Sequence, residues 1–164
     1  MAAELVTPSS LRAWSLPEPG SSKQARGDVL VIGGAHKTPG AAMLAGLAAL
    51  RVGAGRLSLA VADSVAPAVA AAVPEAGVTG LPETAGRAVS GSGIEILADD
   101  IASAGCVVAG PGLDDPDEAA VLLRTLADLV SDDTPVLLDA YALGTLPKEQ
   151  TAAKGRPLTR AATA

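Results

Sequence analysis

The chain has 164 residues, of which 49% are hydrophobic and 18% charged, so its composition is that of one globular domain or part of a larger one. A formal net charge of −6 argues against nucleic acids and anionic membranes as partners. With no Phe, one Trp and one Tyr, the core must be built from Ala, Val, Leu and Ile, which bury little area per residue. No signal peptide is apparent and the apolar runs are too short to span a bilayer, so we expect a cytoplasmic protein.

Strands alternate with helices along most of the chain. Residues 1–28 are rich in Ser, Pro and Gly and predict an N-terminal arm that docks on the domain through Trp14. From Val29 onward the predicted strands are apolar on both faces, which is typical of a parallel sheet covered by helices, so we expect an open α/β sandwich. The predicted strands are 29–32, 56–61, 78–81, 106–109 and 135–139, the predicted helices are 40–51, 64–72, 93–104 and 116–130, and 82–92 is a predicted loop.

The end of the chain is unusual for such a fold. Leu158-Thr159 has the pattern of one further strand, and the chain stops there. A parallel sheet that ends on an uncovered strand presents unpaired N–H and C=O groups, so we expect the isolated chain to be poorly soluble or oligomeric. A small, complete α/β domain with a frayed tail is the alternative.

Three predicted strands end in glycines or an acid, at Gly33-Gly34, at Gly110-Pro111-Gly112 and at Asp139. The carboxyl ends of parallel strands meet at one edge of the sheet, where open α/β sheets bind ligands. Glycine lets a ligand approach the backbone, and the helix predicted after Pro39-Gly40 would point its amides and its positive dipole end there. Neither the dinucleotide fingerprint G-x-G-x-x-G nor the P-loop motif G-x-x-x-x-G-K-[ST] is present. The pattern predicts a small-molecule site, with ordinary βα turns as the alternative.

Acidic side chains occur at two predicted element ends. Asp139 could hold a substrate hydroxyl or a metal-bound water, or it could cap the next turn. The cluster Asp114, Asp115, Asp117 and Glu118 flanks a proline at a predicted helix start, where acids stabilise the helix dipole. Helix capping is therefore favoured over metal binding for that cluster.

The remaining candidate side chains give weaker signals. His36 and Lys37 lie in the glycine loop, and no nucleophile is predicted beside the single histidine, so no catalytic triad can be assembled. Lys23 and Arg26 precede the first strand and could either contact an anion or be solvated. Cys106, the only cysteine, lies in an apolar run, which favours an inert buried thiol.

An ordered series of short motifs resembles the ADP/ATP-dependent NAD(P)H-hydrate dehydratases, whose carbohydrate-kinase-like domain is often fused to an NAD(P)H-hydrate epimerase. The resemblance covers residues 5–145, and the order of the motifs is more specific than any one of them. The motifs are Lys23-x-x-x-Gly27, VLVIGG, Pro39-Gly40-Ala41-Ala42, Leu50-Arg51-x-Gly53-Ala54-Gly55, Pro74-Glu75, Gly110-Pro111-Gly112-Leu113 and Leu138-Asp139-Ala140-x-Ala142-Leu143.

The resemblance implies a repair reaction on hydrated NADH and NADPH (NADHX and NADPHX). The family transfers a phosphoryl group from ADP or ATP, with Mg²⁺, to the hydroxyl of the hydrated nicotinamide and then eliminates phosphate. It also implies a ribokinase-like three-layer α/β sandwich with a mostly parallel central sheet, of which residues 29–160 form the N-terminal half. The substrate-binding residues carried over by motif are Gly33, Gly34, Gly40, Ala41, Ala42, Gly110, Gly112 and Asp139.

Two departures from the family pattern change the expected activity. Leu158-Thr159 is followed by Arg160 and not by the family's Pro-His/Asn, and the Gly-x-Gly-Asp motif, with the aspartate that acts as general base, is absent. Because phosphoryl transfer depends on positioning and charge stabilisation, we assign no catalytic residue and expect a truncated chain, impaired by itself. The alternatives are a non-catalytic remnant, a binding half that needs a separate C-terminal half, and a small-metabolite kinase of the same superfamily.

Overall fold

A computed structural model describes residues 5–13, 22 and 24–149. Within this part, the strands are β1 (Asp28–Ile32), β2 (Arg56–Ala62), β3 (Ala76–Leu81), β4 (Cys106–Ala109) and β5 (Val136–Leu138). The α-helices are α1 (Pro8–Ala13), α2 (Pro39–Arg51), α3 (Ala66–Ala72), α4 (Ala98–Ser103), α5 (Pro116–Leu129) and α6 (Ala140–Glu149), with 3₁₀-helices at Gln24–Arg26 and Ser92–Leu97.

The strands form one parallel sheet in the order β3-β2-β1-β4-β5. Because successive side chains of a strand point to opposite faces, β1 contributes side chains to two separate hydrophobic cores. Leu30 and Ile32 pack with apolar residues of α4 and α5, whereas Val31 packs with residues of α2 and α3. The sheet is thus covered on both faces, and the predicted three-layer α/β architecture is confirmed.

The predicted helix over 93–104 is wrong in its first half. Residues Ser92–Leu97 form a 3₁₀-helix, and only Ala98–Ser103 are α-helical. In a 3₁₀-helix residues i and i+3 lie on the same face, so Ile94 and Leu97 are both fully buried. Gly93 lies so close to the Pro82 ring that a side chain at this position would overlap it. The apolar spacing therefore predicted a buried face correctly but not the type of helix.

Helix α6 was not predicted at all, because Gly144 and Pro147 both have poor helix propensity. Packing against α5 compensates for that propensity, with Ala142 and Thr145 buried. Trp14 and the predicted strand start Leu158-Thr159 lie outside the described residues. None of the residues of α1 is buried, so docking of the arm stays a prediction.

Helix α5 begins with a side-chain cap. Oδ1 of Asp115 accepts hydrogen bonds from the backbone amides of Asp117 (2.9 Å) and Glu118 (3.1 Å), which confirms the predicted capping role. We expect Asp115→Ala to lower the free energy of unfolding by about 1 kcal/mol, because both amides lose their acceptor. Asp114→Ala, one position outside the cap, is the control for urea unfolding. Equal losses in the two variants would contradict a capping role.

Candidate functional site at the topological switch point

The strand order reverses between β1 and β4. The chain runs outward from β1 through β2 to β3, then returns to place β4 on the other side of β1. Ligands of open α/β sheets bind in the crevice that such a reversal leaves at the carboxyl ends of the two strands. The glycine-rich loops that follow β1 and β4 both begin there, so the predicted convergence of these strand ends is confirmed.

Backbone hydrogen bonds join the loops at this edge. The amide of Gly34 donates to the carbonyl of Pro111 (2.7 Å), and the amide of Ala35 donates to the carbonyl of Gly112 (2.8 Å). On the other side of β4, the amide of Asp139 donates to the carbonyl of Ala109 (3.0 Å). The three strand ends therefore form one continuous surface, in which the β4 loop lies between the other two.

Most of the glycines at this edge are required by the packing of one loop on another. A side chain at Gly33 would overlap the Pro111 carbonyl, and a side chain at Gly110 would overlap the Asp139 carbonyl. Gly34 adopts φ +63° and is enclosed in the same way, and all three glycines are buried. The explanation offered by the sequence, that these glycines leave bare backbone for a ligand, is incomplete, because each already has a structural reason.

Gly40 is different from these glycines. It lies in the first turn of α2, it is exposed, and no atom lies within 4 Å of where its side chain would be. Thr38 occupies the N-cap position, but its hydroxyl donates to the Gly112 carbonyl (2.7 Å) and caps no amide of the helix. Within the described part of the chain, the Gly40 amide has no hydrogen-bond partner. This helix end can therefore offer an N–H and open space to a ligand.

The two alanines after Gly40 have different environments. Ala41 is half-buried, and its Cβ packs close to Gly112, where a side chain would overlap the Thr38 carbonyl. Ala42 is fully buried in the core with Val31 and Leu59. The prediction that Ala42 lines a ligand pocket is therefore wrong, because its side chain packs against the sheet.

Asp139 is half-buried at the end of β5, and none of the described residues donates a hydrogen bond to its carboxylate. Its neighbour Ala140 has φ +47°, a left-handed conformation that is strained for a residue with a side chain. Beside them, an open and mainly apolar cavity of about 470 Å³ is lined by Pro116, Ala140, Tyr141, Gly144 and Thr145. The strand end thus places a carboxylate without a hydrogen-bond donor among the described residues next in sequence to Ala140, which lines the cavity.

The remaining candidates from the sequence are the metal-ligating side chains, Cys106 and Lys23. In the described part of the chain, no group of three or more His, Cys, Asp or Glu side chains could hold a metal ion. Cys106 is half-buried, and its burial raises the pKa of the thiol, which disfavours the reactive thiolate. Lys23 lies outside the described residues. Among the helices that the structure describes, none is long and apolar enough to cross a membrane.

A polar network at the same edge was missed by the sequence analysis. Nδ1 of His36 lies 3.1 Å from the hydroxyl of Ser64, although no nucleophile was predicted beside this histidine. The Ser64 amide donates to Oε1 of Glu83 (2.7 Å), and Nε of Arg87 lies 3.4 Å from Oε2. His36, Ser64 and Glu83 follow β1, β2 and β3 respectively. Since they are 28 and 19 residues apart, only the strand order brings them together.

The network makes stability depend on pH through Glu83. The side chain and the amide of Ser64 are the main causes that lower the pKa of Glu83. A carboxylate with a lowered pKa stabilises the fold above its unfolded-state pKa, and this contribution is lost as the pH falls through the folded-state value. We expect wild type to lose more stability on acidification than Glu83→Gln, measured by urea unfolding across that range. Glu95→Gln, at an exposed position, is the control and should behave like wild type.

Comparisons with known proteins agree with this fold. The Carb_kinase family model, described as NAD(P)H-hydrate dehydratase, matches residues 29–159. The ADP-dependent (S)-NAD(P)H-hydrate dehydratase of Xanthomonas campestris is 47% identical over 141 residues, which are 84% of this chain and 47% of that protein. Its counterpart in Bacillus subtilis is 33% identical over 132 residues, or 79% of this chain and 44% of that protein.

Superposition on solved structures gives separate support for the fold. A ribokinase-like superfamily protein from Enterococcus faecalis superposes with a TM-score of 0.67 at 22% identity, over 83% of this chain and 44% of that chain. The ADP/ATP-dependent NAD(P)H-hydrate dehydratase of Bacillus subtilis, co-crystallised with ATP/Mg²⁺, gives a TM-score of 0.60 at 32% identity, over 84% of this chain and 46% of that chain.

The strand order and the superpositions define a ribokinase-like α/β fold. Within that class, the chain belongs to the NAD(P)H-hydrate dehydratase family, which confirms the resemblance drawn from the motifs. The chain spans about half the length of the two dehydratases that it matches.

Proposed function

We propose that this chain provides the substrate-binding wall of an NAD(P)H-hydrate dehydratase, an enzyme that repairs hydrated NADH and NADPH with ADP or ATP. The observation that carries the proposal is the uncapped start of α2 at the switch point, where Gly40 offers an open approach to backbone. Family membership supplies the substrate class, since the relatives are named for the NAD(P)H hydrate that they act on. The predicted cytoplasmic location belongs to the same proposal.

The accessible residues would bind and orient the hydrated ring. The amide of Gly40 can donate to a polar group of the ligand, with the positive end of the α2 dipole behind it. The absence of a side chain at Gly40 and the small side chain of Ala41 leave room for a bulky ring close to the start of α2. Asp139, whose carboxylate is unpaired in the described part, can accept a hydrogen bond from a hydroxyl.

The donor nucleotide and its metal fit these residues poorly. A relative is described as ADP-dependent, and a neighbouring structure was crystallised with ATP/Mg²⁺. In this chain, however, the described residues hold no metal-ligating cluster, and the sequence contains no Gly-x-Gly-Asp motif. We therefore assign to this chain the binding and orientation of the hydrate, and no step of phosphoryl transfer.

A second polypeptide surface would complete such a site. Among the described strands, β5 has only β4 as a neighbour, and Leu137 in β5 is 39% exposed. A strand with a free edge pairs readily with another chain. We propose that this edge receives either a separate C-terminal half of the domain or a second copy of the chain. Native mass spectrometry of the purified protein would distinguish an assembly from a monomer.

The test of the function separates binding from turnover. We expect the purified chain to bind NADH hydrate in equilibrium dialysis, and we expect no restoration of NADH absorbance with ADP above the protein-free rate. Gly40→Val should weaken binding about tenfold or more, because its side chain would occupy the open approach. Ala48→Val, at an exposed position of the same helix, is the matched control. Restoration by the chain alone would contradict the expected impairment, and absence of binding would favour the non-catalytic remnant.

A further inference from the structure

The two helices that cover one side of the sheet have almost no charge on their outer surface. Helix α2 carries no charged residue before Arg51, its last residue, and α3 carries none at all. Both helices pack on the same hydrophobic core, α2 over β1 and β2 and α3 over β2 and β3, so they lie side by side. Their solvent-facing surface, formed by residues 44–52 and Ala66–Ala72, is called the α2–α3 face below.

The other side of the sheet has the opposite character. Helices α4 and α5 pack on the second core there and expose acidic side chains, among them Asp100, Asp117 and Asp128. A surface helix normally carries polar residues opposite its buried stripe, as α4 and α5 do. On α2, by contrast, Leu44 is 71% exposed and Val52, just after the helix, is 86% exposed. An apolar surface of this kind indicates an interaction site.

The spacing of the exposed side chains suits a contact with an identical surface. Leu44, Ala48 and Val52 form one ridge along α2, because residues four apart lie on the same side of a helix. The ridge has a small residue in the middle and a larger aliphatic residue at each end. Two such ridges that cross antiparallel about a two-fold axis at Ala48 can approach closely there. Leu44 of each copy then lies beside Val52 of the other, so the ridge complements itself.

We propose that two copies of this chain associate through the α2–α3 face. The formal net charge of −6 makes two copies repel each other, and a face without charge is where that repulsion is smallest. A basic partner would instead be attracted to the acidic side chains of α4 and α5. The free edge of β5 lies at the other end of the sheet, so a chain that pairs there leaves the α2–α3 face open. Association through this face is independent of the proposed function.

The contact is weak and leaves the cleft accessible. Helix α2 is about 20 Å long, α3 is about 10 Å long and each is about 10 Å wide, so the face measures about 300 Å². Each partner of a stable complex buries about 800 Å², so we expect a dimer at high protein concentration and a monomer on dilution. Crossing helices diverge away from their point of contact. Gly40, about two turns from Ala48, therefore stays open to a ligand.

Sedimentation velocity of the full chain over a range of concentrations tests the contact. We expect wild type to shift from monomer to dimer, and Leu44→Glu to raise the dissociation constant about tenfold or more, because the dimer would bury two unpaired carboxylates. Ala71→Glu should weaken association as well, since α3 belongs to the same face. Ile96→Glu is the matched control, because Ile96 is also an exposed aliphatic residue (58%) but lies on the other side of the sheet. Circular dichroism checks that each variant is folded.

The double variant Leu44→Glu, Val52→Lys tests the two-fold arrangement. It places each new carboxylate beside an ammonium group of the partner, so we expect it to restore part of the association lost in Leu44→Glu. No restoration would indicate that another surface, such as the N-terminal arm, covers α2, and would overturn the proposal. A wild-type chain that remains monomeric up to its solubility limit would overturn it too. Association that survives Leu44→Glu but is lost in Leu137→Lys would place the contact at the β5 edge, which contradicts this inference and leaves the proposed function intact.

Discussion

Replacing Gly110 with alanine is expected to lower the free energy of unfolding by about 3 kcal/mol or more. Two effects combine at this position. Gly110 has φ +121°, a conformation that strains any residue with a side chain, and a Cβ would overlap the Asp139 carbonyl and press against Ala142. Because the obstruction is backbone, a rotamer change cannot relieve it. Urea unfolding followed by far-ultraviolet circular dichroism measures the loss.

Gly40→Ala is the matched control for this experiment. It makes the same chemical change at the same edge of the sheet, but nothing lies within 4 Å of the new Cβ. Since alanine has the higher helix propensity, we expect this variant to be as stable as wild type or slightly more stable. If both variants lost stability equally, the distinction between packing glycines and an open glycine at this site would be wrong.

Truncation of Leu122 to alanine should cost about 2–5 kcal/mol, the range for a large aliphatic residue removed from a packed core. Leu122 is fully buried in α5 and packs in the same cluster as Ile94 and Ile101. The chain contains no Phe, so the neighbouring aliphatic side chains have limited reach to fill the cavity that the truncation leaves. Thermal and urea unfolding should both report the loss.

Leu44→Ala is the control for the core truncation. Leu44 also lies in a long helix, α2, but it is 71% exposed. The same truncation removes little buried area there, so we expect a change within about 0.5 kcal/mol. A large loss at Leu44 would instead indicate that this face of α2 is covered by another surface in solution.

The sheet could be predicted because its strands have a strong local signature. The β-branched run at Val29 and the glycines that follow it mark both the strand and its end, and every strand predicted within the described residues is present within two residues of its predicted bounds. Helix type was less predictable, since the 3₁₀-helix at Ser92–Leu97 has the same apolar spacing as an α-helix turn. Helix α6 forms because it packs on α5, and the helix propensity of its own residues does not indicate that contact.

The candidate site was predictable in location but not in detail. Glycines at the ends of parallel strands indicate where loops meet, because topology alone brings those ends to one edge. Whether a glycine faces a ligand or a neighbouring loop depends on distances such as the one between Gly33 and the Pro111 carbonyl, which no local pattern reports. Ser64 and Glu83 gave no signal, because each looks like an ordinary loop residue until β2 and β3 lie beside β1.

The position of β1 between β2 and β4 has a consequence for the order in which the molecule folds. Val29 pairs with Leu57 on one side and with Cys106 on the other, so the second pairing closes a much longer stretch of chain. Long closures cost more conformational entropy and slow folding, which predicts that β1, β2 and β3 assemble first. The cleft lies at the late junction of β1 with β4. A ligand that binds there would recognise only chains that have completed this last pairing.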